Sequence, residues 1–148
     1  MLKKYRFGFD PMGLIVFLLV MLPNFIWFAC PAPNDVLRTE SITPVWDSIA
    51  SVCQVAMNGL LCLLLRRERK PLRFSPLIIT SLFFLLLYCT CWIFYYTGIT
   101  NPLVILGLTL PPCLVFLLFA LDRKNYPALI PGFLFTICHL VYAIVNFM

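Results

Sequence analysis

Long apolar blocks alternate with short polar interruptions along the whole chain. Five blocks, at about 11–29, 46–65, 76–96, 102–121 and 127–147, each run close to 20 residues. At a rise of about 1.5 Å per residue, such a block crosses the roughly 30 Å hydrocarbon core of a bilayer. The pattern predicts an all-α membrane protein, a five-helix transmembrane bundle that forms a single domain over residues 1–148. Pro11, Pro76, Pro102 and Pro127 open four of the blocks, where the missing backbone N–H has no helical partner to lose. Between the blocks lie a proline-rich loop from Cys30 to Val45, a basic stretch over 66–73, and tight turns at 97–101 and 122–125.

The second block is the unusual one. Asp47, Ser51, Gln54 and Asn58 interrupt it, and at about 100° per residue they fall within an arc of roughly 60°. His139, Tyr142 and Asn146 make a similar stripe on the fifth block. The first block contributes Asn24 beside Pro23, and the third presents Tyr88, Cys91, Trp92 and Tyr95 along one face. Polar groups in hydrocarbon cost free energy unless they find partners, so these positions mark the bundle interior. Counted at about 1.5 Å per residue, they cluster towards the end of the bundle that bears the proline-rich loop. The expectation is a pocket under that loop, lined by Asn24, Asp47, Ser51, Gln54, Trp92, Tyr95, His139 and Tyr142. The competing expectation is that these groups bond one another and simply hold the helices together. Pro111-Pro112 predicts a kink or local unwinding of the fourth helix.

Composition supports the membrane assignment. The chain is 62% hydrophobic and 11% charged, against about 25% charged in a soluble domain. Its net charge of +5 does not point to nucleic acid, because the basic residues lie between apolar blocks and not along one face. Lys3, Lys4, Arg6, Arg66, Arg67, Arg69, Lys70, Arg73, Arg123 and Lys124 fall on one side of the expected topology, and Arg38 falls on the other. By the positive-inside rule, the N-terminus is expected in the cytoplasm and the C-terminus outside, in a cell membrane. The basic loop would also touch anionic lipid head groups. The first block is read as a retained span, since Trp27-Phe28-Ala29 and Pro31 suit no cleavage site.

Chemistry is sparse. The seven cysteines include no CxxC pair, which argues against a zinc or dithiol site, and most sit inside apolar blocks as small packing residues. The chain has no HExxH, phosphate-binding glycine loop or Gly-x-Ser-x-Gly. Asp47 and His139 are the one conceivable acid–base pair, with no evident nucleophile. No cofactor or metal is indicated.

Two resemblances follow from particular stretches. Phe7-Gly8-Phe9-Asp10-Pro11, Met21-Leu22-Pro23-Asn24-Phe25-Ile26-Trp27-Phe28 and Pro31-Ala32-Pro33-Asn34-Asp35 resemble small uncharacterised multi-span membrane proteins of Gram-positive bacteria. The size, the five spans, Pro44-Val45-Trp46 and Leu129-Ile130-Pro131-Gly132-Phe133-Leu134 resemble the tryptophan-rich sensory protein (translocator) family. That second resemblance implies a five-helix bundle, often dimeric, that takes hydrophobic ligands beneath its first loop. The chain departs from that family in having three tryptophans and no Pro-Tyr and Trp pattern in its fifth span. The functional expectation is therefore a membrane protein that binds, senses or moves a small hydrophobic or amphipathic ligand. An accessory or scaffold subunit contacting a copy of itself or another membrane protein is the alternative, and a lipid-modifying enzyme the third reading.

Overall fold

A computed structural model describes residues 4–67 and 75–148. It contains α1 (Pro11–Ala29), α2 (Pro44–Leu63), α3 (Pro76–Tyr96), α4 (Pro102–Asp122) and α5 (Tyr126–Phe147). All five helices are long and apolar enough to cross a membrane. Two three-residue strands, β1 (Tyr5–Phe7) and β2 (Leu64–Arg66), and a single 3-10 turn at Val36–Arg38 complete the regular structure of the described residues. Lys3, Arg69, Lys70 and Arg73, counted above for topology, lie outside the described residues.

Every helix starts with proline in its first turn, preceded by a small polar residue. Three of these residues cap in the expected way, with Asp10, Ser75 and Asn101 side chains accepting from the Met12, Ile78 and Val104 amides. The Pro-start rule also moves the beginning of α2 to Pro44, two residues before the expected boundary. Its end comes at Leu63, because Leu64–Arg66 pairs antiparallel with Tyr5–Phe7. The hydropathy pattern gave no sign of this ribbon, since three residues are too few to show a period of two. Gly8 and Asp10 amides continue the ladder to the Leu63 and Cys62 carbonyls, supplying the end of α2 with partners.

The helices are joined in a ring. α2 packs against α5, α5 against α4, and α4 against α3, while α1 lies over α2 and touches α3 and α4 lightly. The centre belongs to α4, whose Ile105, Cys113, Val115, Phe116, Phe119 and Ala120 are almost fully enclosed. By contrast α1 buries only Gly13 and Val20 along its length. α4 runs unbroken through Pro111-Pro112, both buried against neighbours, so no local unwinding occurs. At Gly107 a Cβ would collide with Cys91 Sγ, which shows how closely α3 and α4 approach.

The two ends of the bundle are fastened differently. At the end that gathers Lys4, Arg6, Arg66, Arg67 and Lys124, the carboxylate of Asp10 meets the Arg123 guanidinium at 3.2 Å with both side chains enclosed. Asn125 Nδ2 there donates to the Leu60 and Leu64 carbonyls at 2.8 and 3.0 Å. Tyr5 donates its hydroxyl to the Lys124 carbonyl, and Ser75 bonds to Asp122. The opposite end holds the 30–43 loop, the Thr97–Asn101 turn and the last turn of α5.

Two glycines make the α1/α2 seam testable. A Cβ on Gly13 would lie 2.5 Å from the Leu61 carbonyl oxygen, whereas one on Gly59 meets nothing within 4 Å. Gly13→Ala should therefore cost about 1–3 kcal/mol by forcing the helices apart. Gly59→Ala should be neutral or stabilising by up to about 1 kcal/mol through helix propensity alone. Thermal unfolding of the two variants in detergent checks the contrast.

Candidate functional site

The polar residues expected to meet in one pocket fall into two groups. Asp47, Ser51 and Gln54 of α2 and His139 and Tyr142 of α5 line one cleft with Ser41, Ala50 and Phe135, leaving room for about 310 Å³. Asn24, Trp92 and Tyr95 do not line it. They belong to a second cluster, between α1, α3 and the loop.

In the cleft, the helical period brings the two stripes face to face. His139 stacks between Phe135, at 5.0 Å between centroids and 19° between planes, and Tyr142, at 6.1 Å and 8°. This ladder follows from i, i+3 and i, i+4 spacing on one helix. The stacking holds the imidazole flat without using either ring nitrogen, and neither nitrogen has a hydrogen-bond partner among the described residues. The Tyr142 hydroxyl likewise has none. Asp47 accepts at Oδ1 from Thr43 Oγ1 at 3.2 Å, sitting in the first turn of α2 where the helix dipole favours an anion. Gln54 makes a single weak contact, from Nε2 to Met21 Sδ at 4.0 Å. Ser51 contributes least, because its hydroxyl donates back to the Asp47 carbonyl at 2.9 Å. Asp47, Gln54, His139 and Tyr142 thus turn unused donors and acceptors towards one space. Among the described residues no three of His, Cys, Asp or Glu could hold a metal ion.

Compared with family models, curated proteins and solved structures, the chain matches none. Its chemistry is read from its own geometry.

The second cluster spends most of its polar atoms internally, while Trp92 Nε1 is buried with no hydrogen-bond partner among the described residues. Asp35 receives Trp27 Nε1 at 2.9 and 3.0 Å, the Tyr95 hydroxyl at 2.8 Å, Arg38 Nε at 2.8 Å and the Ala32 amide at 3.4 Å. The Tyr95 hydroxyl in turn accepts from the Leu37 amide at 3.1 Å. Arg38 also donates to the Trp27 carbonyl and lies 4.9 Å over its ring, a cation–π contact. Trp92 packs edge-on against Tyr88 and Tyr95, and Asn24 donates to the Tyr88 hydroxyl at 2.6 Å. These aromatic residues pin the loop down and do not line the cleft. Asn146 does the same at the far side, accepting from the Ile42 amide and donating to Thr43 Oγ1, both at 2.9 Å.

Several residues that matter went unread in the sequence. Phe135 stands one helical turn before His139, so its place on the stripe was available from spacing. Ser41 and Asp35 gave no comparable sign, since a loop has no period to show which side chains turn inward.

Burial alone would raise the Asp35 carboxyl, but hydrogen bonds from Trp27, Tyr95, Arg38 and the Ala32 amide outweigh it and hold the group below its ordinary 3.8. A folded-state value below the unfolded one means that Asp35 stabilises the loop above that pH, and the contribution fades as pH falls through 3.8 and below. Asp35→Asn should remove that part of the acid dependence and lower the unfolding temperature at neutral pH. Unfolding curves of both proteins between neutral and strongly acidic pH provide the check.

Proposed function

We propose that this chain is a multi-pass protein of a cell membrane that binds, senses or transports a small amphipathic or hydrophobic ligand in the cleft between α2 and α5. One observation carries the reading. Four polar side chains at membrane depth converge on an open space without using their bonding capacity on one another, and interhelical bonding would have consumed it. Aromatic and aliphatic walls with a few convergent polar groups are the usual make-up of a small-molecule site. Loop residues on both sides of the cleft are tied down, by Asp35 on one side and Asn146 on the other, so the site is preorganised.

In the proposed orientation the basic end faces the cytoplasm, and the 30–43 loop, the cleft and the C-terminus face outward. Its support is the gathering of Lys4, Arg6, Arg66, Arg67 and Lys124 at one end, with Arg38 at the other.

Two measurements test these points. A panel of amphipathic ligands should include members that raise the unfolding temperature, and His139→Phe or Gln54→Leu should abolish that rise while leaving the unliganded protein folded. Substitutions that instead break co-purification with another membrane protein would make the cleft a seat for a partner. A periplasm- or exterior-active reporter fused after Met148 should be active, and one active only in the cytoplasm would reverse the orientation.

A further inference from the structure

A second space runs beside the first. The seam between α1 and α2 leaves a groove of about 520 Å³, walled by Phe17 and Met21 on one side and by Val55, Asn58 and Gly59 on the other. The groove is apolar except at Gln54 and Asn58, which stand one helical turn apart on α2. Asn58 Oδ1 is sealed from solvent and has no hydrogen-bond partner. An atom closed to a water-sized probe is closed to a ligand's donor as well, so Asn58 Oδ1 lies behind the groove wall and makes no contact with an occupant.

Gln54 lines this groove and also the polar cleft. Its side chain is the wall that the two spaces share. The polar one extends towards Ser41 and Asp47, and the apolar one continues along α2 to Leu63, a rise of about 13 Å. Charge narrows what fits. Among the described residues Asp47 is the one carboxylate lining the polar cleft, and no lysine or arginine lines it. An anionic head would meet an uncompensated like charge, and a neutral or cationic head would not.

We propose that the two spaces form one site for a single-chain amphiphile with an uncharged or cationic, donor-rich head. The head occupies the cleft between α2 and α5, and the apolar chain lies in the α1/α2 groove. A hydroxyl or N–H at the junction of head and chain comes opposite Gln54, whose amide has only the weak contact to Met21 Sδ. This rests on the cleft reading above and adds the class of ligand and the path of its chain. Gly59 keeps the groove open by having no side chain to fill it.

The test uses the full chain in phosphatidylcholine nanodiscs and three probes that share a long chain with a mid-chain diazirine. Their heads are a primary amine, a glycerol ester and a carboxylate. After irradiation, peptide mass spectrometry should place saturable adducts of the amine and glycerol probes on Phe17, Met21 and Val55. The carboxylate probe should label about fivefold less, and Asp47→Asn should erase that difference. Gly59→Leu, which enters open space and leaves the fold intact, should cut labelling about tenfold by filling the groove. Adducts spread evenly over the outward faces of α3, α4 and α5, indifferent to Gly59→Leu, would overturn the proposal. So would labelling confined to the groove but indifferent to head group and to His139→Phe, since bulk lipid chains would then be the occupant. If ligands stabilise the protein through His139 while adducts fall elsewhere, the cleft reading stands and this one falls.

Discussion

Between apolar helices, a polar side chain must find its hydrogen-bond partner within reach or bear the full cost of lying there without one. The form of this molecule follows from how that constraint is met. At the loop end, Asp35 collects donors from α1, α3 and its own loop, and the indole, phenol and guanidinium around it become fixed points. At the basic end, Asp10 and Arg123 neutralise each other out of water while Asn125 closes the last carbonyls of α2. Hydroxyls along the helices, such as Thr90 and Thr136, return to carbonyls one turn back. Asn58 Oδ1, Trp92 Nε1 and Asn125 Oδ1 are buried without a partner among the described residues, and the cleft residues differ from them in facing an open space.

That difference has an energetic reading. Satisfying His139, Tyr142 and Gln54 by mutual contact would require α2 and α5 to close upon each other along their whole length. They do close where small and flexible residues allow it, at Gly132 against Met57, where a Cβ on the glycine would come 3.2 Å from the sulfur. Towards the loop the stacked Phe135–His139–Tyr142 ladder is too bulky and too stiff to permit the same approach. Shape thus keeps the helices apart where polarity would draw them together, and the space persists.

Much of this was legible in the sequence, and the limits have physical causes. Span positions were clear because twenty apolar residues in a row have few other uses in a chain of this composition, and Pro11 and Pro76 set their boundaries to the residue. The stripes on α2 and α5 were legible through the 3.6-residue period, and the structure brings Asp47, Ser51, Gln54, His139 and Tyr142 to one cleft. Trp92 and Tyr95 were read onto that same space because depth along a helix says nothing of which neighbour a face meets. Their hydroxyl and rings are spent on Asp35 and Trp27 instead. The central place of α4 was hidden for a related reason. A helix apolar on every side looks alike in hydropathy whether lipid or protein surrounds it.

The attachments of α1 carry a consequence for assembly. This helix buries little against its neighbours and is held mainly at its two tips. One tip depends on Cys62, Leu63 and Arg123, and the other on Tyr88, Tyr95 and the loop. The loop follows α1 directly, Cys62 and Leu63 end the next helix, Tyr88 and Tyr95 belong to α3, and Arg123 follows α4. Full attachment of α1 therefore waits on α3 and on the residue that follows α4, so this helix is seated by contacts distant in the chain.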